Sequence, residues 1–168
     1  MKFLPFEKIT YRTKLDSEEI LNRIWEIVEP KKTFRMTGIF GSSSEHKPYE
    51  GSINGNSFSI TRIIGYRNSF LPIIKGNIEE NLRYTKVNVK MRLHISVFFF
   101  MSIWLGGVGI ACIFFLASIF NNQEFEPAIL IPFGMFIFGY VLLTGSFKYE
   151  SIKSKKFLAE LFEAEIEE

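Results

Sequence analysis

The residues of this 168-residue chain best suited to chemistry are a few polar groups set between apolar runs. Arg67 and Asn68 stand together in Tyr66-Arg67-Asn68-Ser69-Phe70-Leu71-Pro72, the densest polar cluster between two strand-like segments. A planar guanidinium fork beside a side-chain amide suits a phosphate or a carboxylate. The same residues also suit a long connection, in which Asn68 and Ser69 bond their own backbone and Pro72 sets the exit. Further along, Lys86, Lys90 and Arg92 share one face of a strand, and His94 follows them. That basic face attracts anions, and an imidazole there could relay a proton or touch a headgroup phosphate. Arg67, Asn68, Lys90, Arg92 and His94 are therefore the candidate ligand-binding residues, with Lys86 and Lys148 adding electrostatic attraction.

Other chemistries find little support. His46 lies in a serine-rich loop with no second histidine, cysteine or aspartate at ligand spacing, so no metal site is expected. Gly41-Ser42-Ser43-Ser44 lacks the Gly-Lys-Ser/Thr ending of a phosphate-binding loop, and no Gly-x-Ser-x-Gly elbow occurs. No nucleophile–base pair is recognisable, which argues against an enzyme, and no catalytic residue or cofactor is assigned. The basic strand face has no aromatic partners for stacking, so a nucleic-acid partner is not expected. Cys112 is the single cysteine, which excludes an intramolecular disulfide.

The elements that must position these residues are dominated by two charge-free apolar runs, Ile95 to Phe120 and Pro127 to Phe147, joined by six polar residues. At 1.5 Å per residue, a hydrocarbon core of about 30 Å needs roughly 20 apolar residues, and both runs suffice. A two-helix transmembrane hairpin over 95–147 (95–120 and 127–147) is expected. Lys86, Lys90 and Arg92 precede it, Lys148, Lys153, Lys155 and Lys156 follow it, and the connector Asn121 to Glu126 has two glutamates and no lysine or arginine. The positive-inside rule then places both termini in the cytoplasm. No apolar stretch suited to a cleavable signal peptide follows Met1, in keeping with a cytosolic N-terminus. Neither run contains a charged residue, which disfavours an ion-coupled transporter acting as a monomer. Gly106, Gly107 and Ala111 form a small-residue surface suited to hairpin packing or to a homo-oligomer.

Residues 1–94 read as a cytosolic α+β domain. Lys8 to Leu15 alternates like a half-buried strand. Asp16-Ser17-Glu18-Glu19 has the spacing of a capping box, and Ile20, Leu21, Ile24, Trp25 and Val28 line one face of the helix it opens, up to Pro30. Phe34 to Phe40 is a candidate strand. Tyr49 to Ile53 and Ser57 to Ile64 flank Asn54-Gly55, a type I′ hairpin signal. Phe70 to Ile78 contains Pro72, which suggests an edge strand or a bulge. In the last strand Val87, Val89, Met91 and Leu93 alternate with Lys86, Asn88, Lys90 and Arg92.

Residues 148–168 read as a cytosolic helix with Ile152, Leu158, Leu161, Phe162 and Ile166 on an apolar stripe. Its lysines come first and its glutamates last, the reverse of what a helix dipole prefers by about 0.3–1 kcal/mol per charge. Anionic headgroups explain the lysines. Residues 1–94 carry 16 Lys and Arg against 10 Asp and Glu, so docking of the acidic end on this basic domain is expected.

The expected fold is thus an α+β membrane protein: an antiparallel sheet with one N-terminal helix, a transmembrane hairpin and a C-terminal helix. This order resembles, in topology, the helix-grip arrangement of START and Bet v 1 proteins, in which a curved sheet wraps a long C-terminal helix. Gly65-Tyr66-Arg67-Asn68-Ser69-Phe70-Leu71-Pro72, with Met91-Arg92-Leu93-His94, is similar to uncharacterised small bacterial two-span membrane proteins with a cytosolic α+β domain. That resemblance implies a bacterial cytoplasmic (inner) membrane and no particular activity. The expected function is a membrane-anchored binding module for an anionic lipid headgroup or acidic ligand. An oligomeric effector or pore, and an enzyme acting on a membrane-associated substrate, are the alternatives.

Overall fold

The computed structural model describes residues 4–30, 47–66, 68–120 and 127–167. The candidate strand Phe34 to Phe40 and the connector 121–126 lie outside the described residues. The chain is α+β. In order it forms β1 (Phe6–Thr13), α1 (Ser17–Ile27), β2 (Val28–Pro30), β3 (Tyr49–Asn54), β4 (Ser57–Arg62), β5 (Ile73–Asn81), β6 (Tyr84–Arg92), α2 (Ile95–Phe120), α3 (Leu130–Leu161) and β7 (Glu165–Glu167). The strands make one seven-stranded sheet in the order β2-β3-β4-β5-β6-β1-β7.

Alternation decides which face of each strand is buried. Ile9 and Tyr11 on β1, Ile74 and Ile78 on β5, and Val87, Val89 and Met91 on β6 all point to one side and form a common core. Gly76 belongs to that face because any Cβ there would lie 2.1 Å from the Phe58 ring. The core is closed by Ile20 and Ile24 of α1, by Phe147 and Leu158 of α3, and by Phe162 just beyond it. Both helices cover the same face, and no described helix covers the other.

The sheet departs from the expected antiparallel one at two places. The helix expected to run up to Pro30 ends at Ile27, and Val28 begins a strand. Val28–Pro30 pairs in parallel with Tyr49–Gly51, which makes the sheet mixed. The expected C-terminal helix ends at Leu161, and residues 165–167 add a strand antiparallel to Thr10–Arg12. The reason is a Schellman ending: Ala164 N–H donates to Ala159 O, Glu163 N–H donates to Glu160 O, and Glu163 takes a left-handed φ of 47°. Ile166 therefore belongs to a strand, and Ile152 points outward at 50% exposure rather than joining the buried stripe.

Smaller shifts follow from turn chemistry. Asn54 pairs with Ser57, so the hairpin turns on Gly55-Asn56 with positive φ at Gly55 only, the pattern of a II′ turn rather than I′. β5 begins at Ile73, after Pro72, and so is a central strand with no proline inside it. Asp16 caps α1 by accepting the Glu19 N–H at 2.7 Å.

The second apolar run and the C-terminal polar segment form one continuous 32-residue helix, α3, about 48 Å long at 1.5 Å per residue. Its first half pairs with α2, where Gly139 lets the Trp104 ring approach to 2.1 Å of where a Cβ would stand. α2 and α3 are each long and apolar enough to cross a membrane. They are not the buried core of a soluble fold, since Ile103 is 75% and Phe138 67% exposed.

Candidate functional site

The uncovered face of the sheet is polar, and strand register sorts its charges into rows. Lys8 on β1 stands opposite Lys90 on β6, and Lys90 stands opposite Lys75 on β5. Three lysines thus lie side by side across strands about 4.7–5.5 Å apart. The row nearer α2 holds Arg92, opposite Phe6 and Ile73. The row beyond the lysines holds Asn77, Asn88 and Thr10, with Thr10 Oγ1 donating to Asn88 Oδ1 at 3.1 Å. These rows line an open groove of about 570 Å³.

Like charges directly opposed in a sheet cost stability, roughly 0.2–1 kcal/mol per pair. Lys8, Lys75, Lys90 and Arg92 form no ion pair among the described residues, so no described ion pair offsets that repulsion. The far end of the same face is different. Glu79 stands opposite Lys86, while Lys86 and Arg12 both reach Glu167, at 3.3 and 3.5 Å.

The direction of this gradient relative to the apolar helices follows from contacts along α3. Glu7, near the start of β1, bonds Lys148 and Ser151, whereas Tyr11 donates to the Lys155 carbonyl at 3.1 Å. β1 therefore runs away from the apolar half of α3. On this face Lys8, Lys75, Lys90 and Arg92 lie at the apolar end of the sheet, and Arg12 and Lys86, which share Glu167, lie at the far end.

A second cluster sits on the covered face. Glu150 of α3 is fully buried; its carboxylate accepts from Arg62 Nη1 at 3.0 Å and from the Tyr66 phenol. That bond, ahead of partial burial and the negative charge, raises the Tyr66 pKa. Beside it, burial raises the Glu7 carboxyl, but the Lys148 ammonium and the Ser151 hydroxyl (2.7 Å) outweigh it and leave the pKa below the ordinary value.

The residues singled out from sequence are divided between these places. Lys90 and Arg92 share the basic groove. Asn68 lies on another surface, beside α3, and its Oδ1 accepts the Phe70 N–H at 2.9 Å, the local turn bond of an Asx residue. Lys148 pairs with Glu7 on the covered side. His94 is exposed and its Nδ1 lies 3.0 Å from Ser96 Oγ, a contact within the first turn of α2. Arg67 and His46 lie outside the described residues. Gly106 and Gly107 face open space, so the described hairpin packing uses Gly139 and Gly109 instead.

Lys8 and Lys75 were not singled out from sequence. Each is one alternating lysine on its own strand, and only the pairing of β1, β6 and β5 makes them neighbours. Glu150 carried a weak signal, as an acidic residue among the lysines that open the polar half of α3. Among the described residues no group of three or more His, Cys, Asp or Glu side chains is placed to hold a metal ion.

No protein-family model, curated protein or solved structure matches this chain.

Proposed function

We propose that this chain is a membrane-anchored binding module whose uncovered sheet face engages phosphate-bearing, anionic lipid headgroups. In this reading α2 and α3 cross a bacterial inner membrane as a hairpin, with the sheet and both termini on the cytoplasmic side. The long charge-free runs and the lysines that flank them support that orientation.

The observation that carries the binding reading is the unpaired row of Lys8, Lys90 and Lys75 beside Arg92. Arg92 precedes Ile95, the first residue of α2, by three positions, which puts it at headgroup level. The lysine row is two residues further out, about 7 Å, within a Debye length of roughly 8 Å. The Arg12 and Lys86 row is about 20 Å out, beyond that range, and there both cations share the Glu167 carboxylate of the chain itself. An anionic surface attracts each nearby cation with about 1 kcal/mol. Four such cations outweigh two cross-strand repulsions of at most about 1 kcal/mol each. Phe6, exposed beside Arg92, adds apolar contact with the boundary.

The test is lipid enrichment around the full chain extracted with its native bilayer. Wild type should retain phosphatidylglycerol above its bulk fraction, Lys75→Gln with Lys90→Gln should lose that enrichment, and Lys86→Gln should keep it. Titration with inorganic phosphate separates a soluble anion from a headgroup, since a thermal shift there would indicate the former. Equal lipid composition around wild type and the double variant would overturn the reading, and association through Gly106 and Gly107 would become the leading account.

A further inference from the structure

We propose that the groove between α3 and the residues Tyr66 and Asn68–Phe70 holds a single phospholipid, with an acyl chain along Leu142 and Gly145 and its phosphate at Lys153. The inference rests on the reading that α3 crosses the membrane, and it names a site separate from the basic sheet face. Leu142, Gly145, Tyr149 and Lys153 follow one another at spacings of three and four, so they form one stripe of α3. The stripe changes character along its length. Leu142 and Gly145 lie inside the charge-free run that ends at Phe147, and Tyr149 and Lys153 lie beyond it. A tyrosine at this level suits the interface, with its ring toward hydrocarbon and its hydroxyl toward water.

The groove measures about 700 Å³ and is open over Gly145, where an added Cβ would meet nothing within 4 Å. Its opposite wall is fixed to the fold. Tyr66 is held by the buried Glu150, which Arg62 neutralises, and the Asn68 bond to the Phe70 N–H sets the turn. At the top, Lys153 Nζ lies 4.0 Å from the centre of the Tyr149 ring and has no ion-pair partner among the described residues. An occupant that satisfies both ends needs a hydrocarbon tail beside Leu142 and an anionic group at the ammonium. A phospholipid has both, and its phosphate is present whether the headgroup is zwitterionic or anionic. This groove therefore reads the phosphate, whereas the sheet face reads net negative charge.

Native mass spectrometry of the full chain released from detergent micelles tests the inference. Wild type should carry one phospholipid, either phosphatidylethanolamine or phosphatidylglycerol. Gly145→Leu, whose Cβ meets nothing within 4 Å, puts a side chain into the groove and should abolish retention at a melting temperature no lower than that of wild type, because leucine is the better helix former. Lys153→Gln should weaken retention about tenfold, as expected for one lost bond to a charged group. Lys75→Gln with Lys90→Gln should leave retention intact. Wild-type retention equal to that of Gly145→Leu, no retained lipid in wild type, or retention of anionic lipid alone that disappears with the sheet-face variant would each overturn the inference. Recovery of the protein from membranes by alkaline carbonate without detergent would instead overturn the spanning reading on which it rests.

Discussion

Without the Arg62 guanidinium, the Glu150 carboxylate would keep only the Tyr66 phenol as a partner in a fully buried position. Breaking a wholly buried pair costs about 3–5 kcal/mol, and Arg62 is 31% exposed, so Arg62→Ala should cost nearer about 2–3 kcal/mol. Thermal unfolding in detergent would show it, and a shift no larger than that of a surface substitution such as Lys156→Ala would contradict the packing of α3 on β4. Glu7 makes a prediction of different form. Its folded pKa is below the ordinary carboxylate value, so its contribution is present above about pH 4.3 and is lost as pH falls through the folded pKa. Between pH 5 and 3 wild type should lose more stability than Glu7→Gln, which has no proton to take up. Parallel pH profiles for the two would show that Lys148 and Ser151 do not hold the carboxylate.

At the scale of elements, α3 has two tasks divided near Phe147. Its first half meets α2 through Gly139, and its second half lies on the sheet through Phe147, Ser151, Ser154 and Leu158. A methyl at residue 139 would stand 2.1 Å from the Trp104 ring, whereas one at residue 107 meets nothing. Gly139→Ala should therefore destabilise the hairpin by about 1–3 kcal/mol, as for other overpacked sites, and Gly107→Ala should be silent. Equal losses in both variants would mean that Gly107 is itself in contact, as in an oligomer. The far end of α3 shows a related use of neighbours. Glu163 occupies a left-handed position that usually falls to glycine, and Arg23 bonds both its carboxylate (2.8 Å) and the Leu161 carbonyl (2.9 Å), which ties the strained turn to α1.

For the whole molecule, charge is arranged along one axis. Lys8, Lys75, Lys90 and Arg92 gather at the apolar end of the sheet, and the acidic residues that follow α3 meet Arg23, Arg12 and Lys86 at the other end. If the lysine asymmetry also governs insertion, a cysteine at Leu82, on the fully exposed β5–β6 turn, should resist an impermeant thiol reagent in intact cells and react after permeabilisation. With Cys112 replaced by Ala, a cysteine at Gln123 should react from outside. The opposite labelling pattern would invert the proposed topology and remove the cytoplasmic anionic leaflet from the sheet's surroundings.

The features that the sequence alone determined are those encoded by near neighbours. The two apolar runs are legible because span length is a count of consecutive residues. The faces of β1 and β6 are legible because alternation is a local period, and the start of α1 is legible because Asp16 reaches its own third neighbour. Tertiary structure alone decided which faces and strands adjoin. Lys8, Lys90 and Lys75 form a row only once β1, β6 and β5 pair in register, and Arg62 meets Glu150 across 88 positions of sequence. The same holds for β2 and β7, three-residue strands too short to show a period, which exist because a neighbouring strand offers unpaired backbone groups. Alternation says that a side chain points away from the core but not what stands beside it, since that depends on hydrogen bonds between strands distant in the chain. The basic face is therefore legible only in part, Lys90 and Arg92 from the alternation of β6 and their neighbours Lys8 and Lys75 only from the pairing of strands.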